Sequence, residues 1–193
     1  MQDYTLARRA MIDSQLRPQG VTDRAVLKAM ATVPREDFVP EHAKPFAYVD
    51  RSIAVEGGAL IAPAPLGRLL TAAAPQAGER ALVIGAAPGY AAALLREMGL
   101  QVEQRLALEF PGVSEVGGPF EFILIEGAVE CIPTALEQAL VEGGRIATAL
   151  ITVGTVTRLA IGRKVGDVVG YVRFADSEIP RLGGFIRPLA FTF

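Results

Sequence analysis

The stretch ALVIGAAPGY, residues 81–90, decides how this chain is read. Four apolar residues, Ala81 to Ile84, run into a turn that holds Gly85 and Gly89, and AAALLREM (91–98) continues as a helix. Strand, glycine turn and helix in that order open a nucleotide-binding α/β unit, where free N–H groups at the helix start meet a ligand and the turn lets it approach the backbone. Pro88 suits the first helical turn, where a missing N–H leaves nothing unpaired. The usual fingerprint has a further glycine between these two, but Ala87 stands there instead. An ordinary buried strand-to-helix turn would look the same, so the surrounding elements must arbitrate.

On the N-terminal side, helices are expected over 4–16, from Thr22 as N-cap to Pro34, and over 65–74; residues 34–63 read as loop. Leu6, Met11, Ile12 and Leu16, and then Val26, Leu27, Met30 and Val33, recur at helical spacing. On the C-terminal side, Leu100 to Glu109 alternates apolar and polar residues except at Gln104, a strand pattern. FEFILIEG (120–127) reads as a central buried strand, a helix begins near Pro133, and RIATALI (145–151) follows Gly143-Gly144 as another strand. Two closing strands, about 156–174 and 184–193, are expected as an antiparallel pair at the sheet edge. Alternating strands and helices imply a parallel sheet with right-handed crossovers.

The 193 residues suit one domain (1–193), with an N-terminal helical segment over 1–75 and the α/β core over 76–193. A net charge of −2 gives no electrostatic case for nucleic acid. No apolar run reaches the roughly 18 residues of a membrane span. A single cysteine, Cys131, excludes an internal disulfide, and the charged residues among the first 20 do not resemble a signal peptide, so a cytoplasmic location is expected. The chain is 51% hydrophobic and only 21% charged. That balance reflects either an Ala- and Gly-rich composition or surface buried against a partner. No His, Cys, Asp and Glu set has metal-ligand spacing, and no metal is expected.

The run MIDSQLRPQGVTDRAVLKAMATVPREDFVP with AYVD (47–50), followed by VIGAAPGY, ILIEGAVECIP and LVEGGRI, resembles the protein-L-isoaspartate O-methyltransferases. The resemblance implies a Rossmann-like S-adenosylmethionine-dependent methyltransferase fold that methylates the carboxylate of isoaspartyl residues. It also implies that Gly85, Gly89 and Glu109 bind the cofactor, with Glu109 on the ribose hydroxyls, 20 residues beyond Gly89. A solvated strand-end carboxylate is the alternative for Glu109.

The chemistry transfers less well than the fold. In the family a loop of the form GQTISQP sets Thr and Ser hydroxyls beside the acceptor carboxylate; here GALIAP (58–63) places Ala59 and Ile61 at those positions. Neither side chain can donate a hydrogen bond. Val83 stands where the family has an acidic residue. Between Gly99 and Phe120 the family has a strand, a crossover helix and a second strand, whereas residues 100–119 have room for one strand and a turn. His42 has no paired Ser or Cys in the sequence, Cys131 reads as a small buried residue, and Glu126 and Glu130 face the cleft or lie in a loop. On these departures the expected role is a catalytically impaired accessory or structural subunit, bound to protein partners in a larger assembly, with S-adenosylmethionine binding weak or absent. The alternatives are an active isoaspartyl methyltransferase and a non-catalytic sensor of S-adenosylmethionine.

Overall fold

Asp3 starts the first helix: its carboxylate accepts hydrogen bonds from the N–H groups of Thr5 (3.0 Å) and Leu6 (3.3 Å). The computed structural model describes residues 3–87, 89–110, 116–152 and 156–185. Helix α1 (Tyr4–Met11) runs on through a π-type turn at Ile12–Leu16. Helix α2 (Arg24–Thr32) is capped by Asp23, one residue later than the expected Thr22. The carboxylate of Asp23 accepts from the Val26 N–H at 2.9 Å, and at Val33, just before Pro34, the backbone is already extended.

Residues 34–63 are more ordered than a loop. They form 3-10 turns at Arg35–Phe38 and Glu41–Phe46, then a hairpin of β1 (Ile53–Val55) and β2 (Gly58–Leu60). Helix α3 (Pro63–Ala73) starts two residues before the expected 65. Pro63 occupies its first position, and Asp50 reaches in to accept from the Ala64 N–H at 3.0 Å.

The main sheet has the order β4-β3-β5-β6-β7-β8, built from β3 (Arg80–Gly85), β4 (Gln101–Leu106), β5 (Phe120–Val129), β6 (Leu140–Ile151), β7 (Thr157–Val165) and β8 (Val168–Asp176). The first four strands in that order are parallel and the last two antiparallel. Helix α4 (Tyr90–Glu97) crosses from β3 to β4, and the short α5 (Thr134–Gln138) precedes β6. Alternate residues of β3 and β5 serve two cores, as in parallel strands covered on both faces. Val83, Phe122 and Leu124 pack with helices α1 to α4, while Leu82, Ile84, Ile123 and Ile125 face Leu136 of α5.

The expected closing pair forms within the first of the two stretches assigned to it. Residues 156–174 fold into the β7–β8 hairpin, turning at Gly166 with φ 59°, as the first position of a tight two-residue turn requires. Of the second stretch, residues 186–193 lie outside the described residues. The described tail returns across the end of β5: Pro180 accepts from the Ala128 N–H at 2.8 Å, and Leu182 donates to Ala128 at 2.9 Å.

Strand β4 is the edge of the sheet, and along the chain only a 3-10 turn separates it from β5 among the described residues. Its alternation stops early. Residues Ala107–Glu109 wind into a 3-10 turn, so Ala107 points inward while Leu108 is exposed. The shortening is expected to bare apolar side chains of the Leu100–Leu108 strand; Leu106 and Leu108 are exposed, while Phe110 and Val116 are buried in one cluster with Leu82, Ile84 and Phe120. The competing outcome is that residues 110–119 fold back and seal the edge through Phe110 and Val113; Val113 lies outside the described residues.

Candidate active site at the carboxyl ends of the parallel strands

Gly85 ends β3 level with Leu106 of β4 and one residue beyond the Ile84–Ile125 pair. A Cβ on Gly85 would lie 2.9 Å from Oε2 of Glu126, and one on Gly89 would collide with the side chain of Gln104. Both glycines therefore allow close packing beneath the turn. Gln104 interrupts the β4 alternation in the sequence, and this contact explains its position.

Glu126 is almost fully buried, and burial pushes its carboxyl up to about 7, against the opposing effects of the Arg35 charge and a hydrogen bond from the Ile61 N–H. Arg35 is completely buried, and desolvation lowers its pKa. Its Nε donates to the Ala47 carbonyl at 2.9 Å and its Nη2 to the Ile61 carbonyl at 2.8 Å, while the guanidinium stacks 4.9 Å from the Tyr90 ring. The Ile61 peptide is thus held from both sides, by Arg35 at its carbonyl and Glu126 at its N–H. At the near end of the same loop, a Cβ on Gly58 would lie 3.3 Å from that of Ala86. Loop 58–63 accordingly lies on the glycine turn. Glu126 Oε1 and the Tyr90 hydroxyl, at the start of α4, are buried without a hydrogen-bond partner among the described residues.

An open groove of about 960 Å³ begins at Ala62, where this loop ends. Its walls come from residues 50–52, the first turns of α3 and the tail over 176–180. Asp50 is engaged in capping α3 and accepts from Gln19 at 2.7 Å, and Asp176 pairs with Arg158 at 2.7 Å.

Glu109 closes the 3-10 turn three residues past Leu106, exposed at the β4 end. His42 is exposed on a 3-10 turn, Cys131 is half-buried, and Glu130 pairs with Arg181 at 3.1 Å. Val83 is buried in the core. No group of three metal-ligating side chains occurs among the described residues, and no helix there is long and apolar enough to cross a membrane. Sequence reading passed over Arg35, Ser52 and Arg68; only Arg35 carried a signal, a cation set directly after Pro34 within the VPRE run.

The sheet order and the strand–glycine turn–helix unit are those of a Rossmann-like S-adenosylmethionine-dependent methyltransferase fold. The sequence profile of the protein-L-isoaspartate(D-aspartate) O-methyltransferases matches residues 7–111, and the chain belongs to this family. It is similar to protein-L-isoaspartate O-methyltransferase 2 of Marinobacter nauticus, 34% identical over 94% of this chain and 95% of the relative. The corresponding enzyme of Koribacter versatilis is 36% identical over 74% and 76%. A Plasmodium falciparum protein-L-isoaspartate O-methyltransferase structure, in complex with S-adenosyl-L-homocysteine, shares the fold with a TM-score of 0.71 at 16% identity, covering 95% of this chain and all of the other.

The Marinobacter alignment spans 216 positions, more than the 193 residues here, so this chain lacks residues that the relative has. The expected accessory or structural subunit is overturned by these relatives. Despite the shortening, chains 34–36% identical to this one over most of its length bear the enzyme's name.

The residues present suit the family's cofactor. S-Adenosylmethionine carries an ammonium and two ribose hydroxyls, all hydrogen-bond donors, and the turn is flanked by an unpartnered buried acceptor on Glu126 and by the exposed carboxylate of Glu109.

Proposed function

We propose that this protein is an active S-adenosylmethionine-dependent protein-L-isoaspartate O-methyltransferase. The observation that carries the reading is the seating of loop 58–63 on the glycine turn, with the Ile61 peptide held between Arg35 and Glu126. In this reading Gly85, Gly89 and Glu109 border the cofactor, and Glu109 accepts hydrogen bonds from the ribose. The groove beyond Ala62 takes the acceptor polypeptide. When bound, the cofactor supplies a methyl group on a sulfonium, and its transfer to a carboxylate oxygen leaves a methyl ester and a neutral thioether. A carboxylate needs no base to become a nucleophile, so the task of the chain is to place two groups in line; such positioning supplies about 7–11 kcal/mol of a barrier. The protein partner of this reading is the acceptor polypeptide, and its place of action is the cytoplasm, which suits the lone Cys131.

Calorimetric titration with S-adenosyl-L-homocysteine tests the cofactor half. A dissociation constant of about 1 μM is expected, roughly −8 kcal/mol. Glu109→Ala is expected to weaken it about tenfold by removing charged hydrogen bonds. Absence of binding by the intact chain overturns the reading.

A further inference from the structure

The acceptor carboxylate has lost its hydroxyl donors in loop 58–63, yet the groove beside that loop carries donors, including Arg68 and Ser52, without a hydrogen-bond partner among the described residues. Arg68, half-buried on α3, makes neither a hydrogen bond nor an ion pair with any described residue; its guanidinium only stacks, 6.0 Å from the Phe174 ring. Stacking holds the fork in place while leaving its N–H groups available. Ser52 lies immediately before β1, whose Ile53 pairs with Leu60, so it sits alongside the loop residue Ile61. Its hydroxyl is buried and has no hydrogen-bond partner among the described residues. Both residues line the groove that starts at Ala62. Of the other charges in that wall, Asp50 and Asp176 are engaged, Arg51 is exposed and stacked on Phe46, and Glu178 is exposed.

We propose that Arg68 and Ser52 together form the acceptor-carboxylate site of this protein, Arg68 by charged hydrogen bonds from its fork and Ser52 by its hydroxyl. The site replaces, from the helix after the loop and the residue that leads into β1, the donors that Ala59 and Ile61 do not provide. A planar guanidinium matches a carboxylate in geometry and is the strongest such donor a side chain offers. The ligand class is a polypeptide with a β-linked aspartyl residue, whose free α-carboxylate is the group held. This inference rests on the methyltransferase reading of the same groove.

The test is binding of two peptides to the intact chain saturated with S-adenosyl-L-homocysteine, one carrying isoaspartate and the other the neutral isoasparagine carboxamide. The wild type is expected to favour the carboxylate at least tenfold. Arg68→Ala is expected to abolish that preference, Arg68→Lys to restore part of it and Ser52→Ala to reduce it several-fold, all with S-adenosyl-L-homocysteine affinity within twofold of wild type. A wild type that does not discriminate between the two peptides, or variants that discriminate as the wild type does, would overturn the assignment. Discrimination without any methyl transfer would uphold the carboxylate site while overturning the proposed enzyme.

Discussion

Glu126 sits beside Gly85 with its carboxyl raised from the ordinary 4.5 to about 7, chiefly because burial penalises its charge. Between those two values the folded protein keeps a proton that the unfolded chain has released. Stability therefore falls as the pH rises from about 4.5 through 7 and levels off above, by about 3 kcal/mol over the window. Glu126→Gln keeps an oxygen for the Ile61 N–H and removes the ionisation. Urea unfolding across this range is expected to show the variant gaining on the wild type with rising pH and holding a constant advantage above about pH 8. Parallel profiles would show that Glu126 is not desolvated. The same residue marks a limit of sequence reading: Glu126 was legible as a strand-end carboxylate, but its burial depends on Arg35, 91 positions earlier, and on the peptide of Ile61. No local pattern reports a contact of that kind. Ser52 and Arg68 were missed for a related reason, since their significance lies in the partners they do not have.

At the scale of elements, helices α1 and α2 fall where apolar spacing placed them, because each buries one face, and strands β3 and β5 fall where continuous apolar runs placed them, because both of their faces are covered. The hairpin β1–β2 was invisible, since two three-residue strands in a stretch punctuated by Pro and Gly have no period to detect. The β7–β8 hairpin was read as a single strand because a tight turn at Gly166 resembles the neighbouring glycines Gly162 and Gly170. Phe110 and Val116 show how a shortened crossover still serves the fold. Phe110 is buried within 5.8 Å of the Phe185 ring and packs where the sheet would otherwise be bare. Phe110→Ala is expected to lower stability by about 3–5 kcal/mol, the usual loss for a buried aromatic side chain. Urea denaturation checks this, and a loss below about 1 kcal/mol would mean that Phe110 does not close the face.

For the whole molecule, the sheet lies between two cores: helices α1 to α4 cover one face, and α5 with Phe110, Val116, Leu182 and Phe185 covers the other. Loop 58–63 joins the N-terminal segment to the sheet functionally: Arg35 holds it from that segment, and Glu126 holds it from the sheet at the glycine turn. An enzyme that brings a polypeptide to a small cofactor needs such a junction, and it persists here although the hydroxyls of the loop and the strand beyond β4 do not. This junction is expected to support methyl transfer. Incubating the purified chain with methyl-labelled S-adenosylmethionine and matched isoaspartyl and ordinary aspartyl peptides measures it directly. Base-labile label is expected on the isoaspartyl peptide alone; no label on either peptide, from a chain shown to be folded, would mean that the protein is not this enzyme.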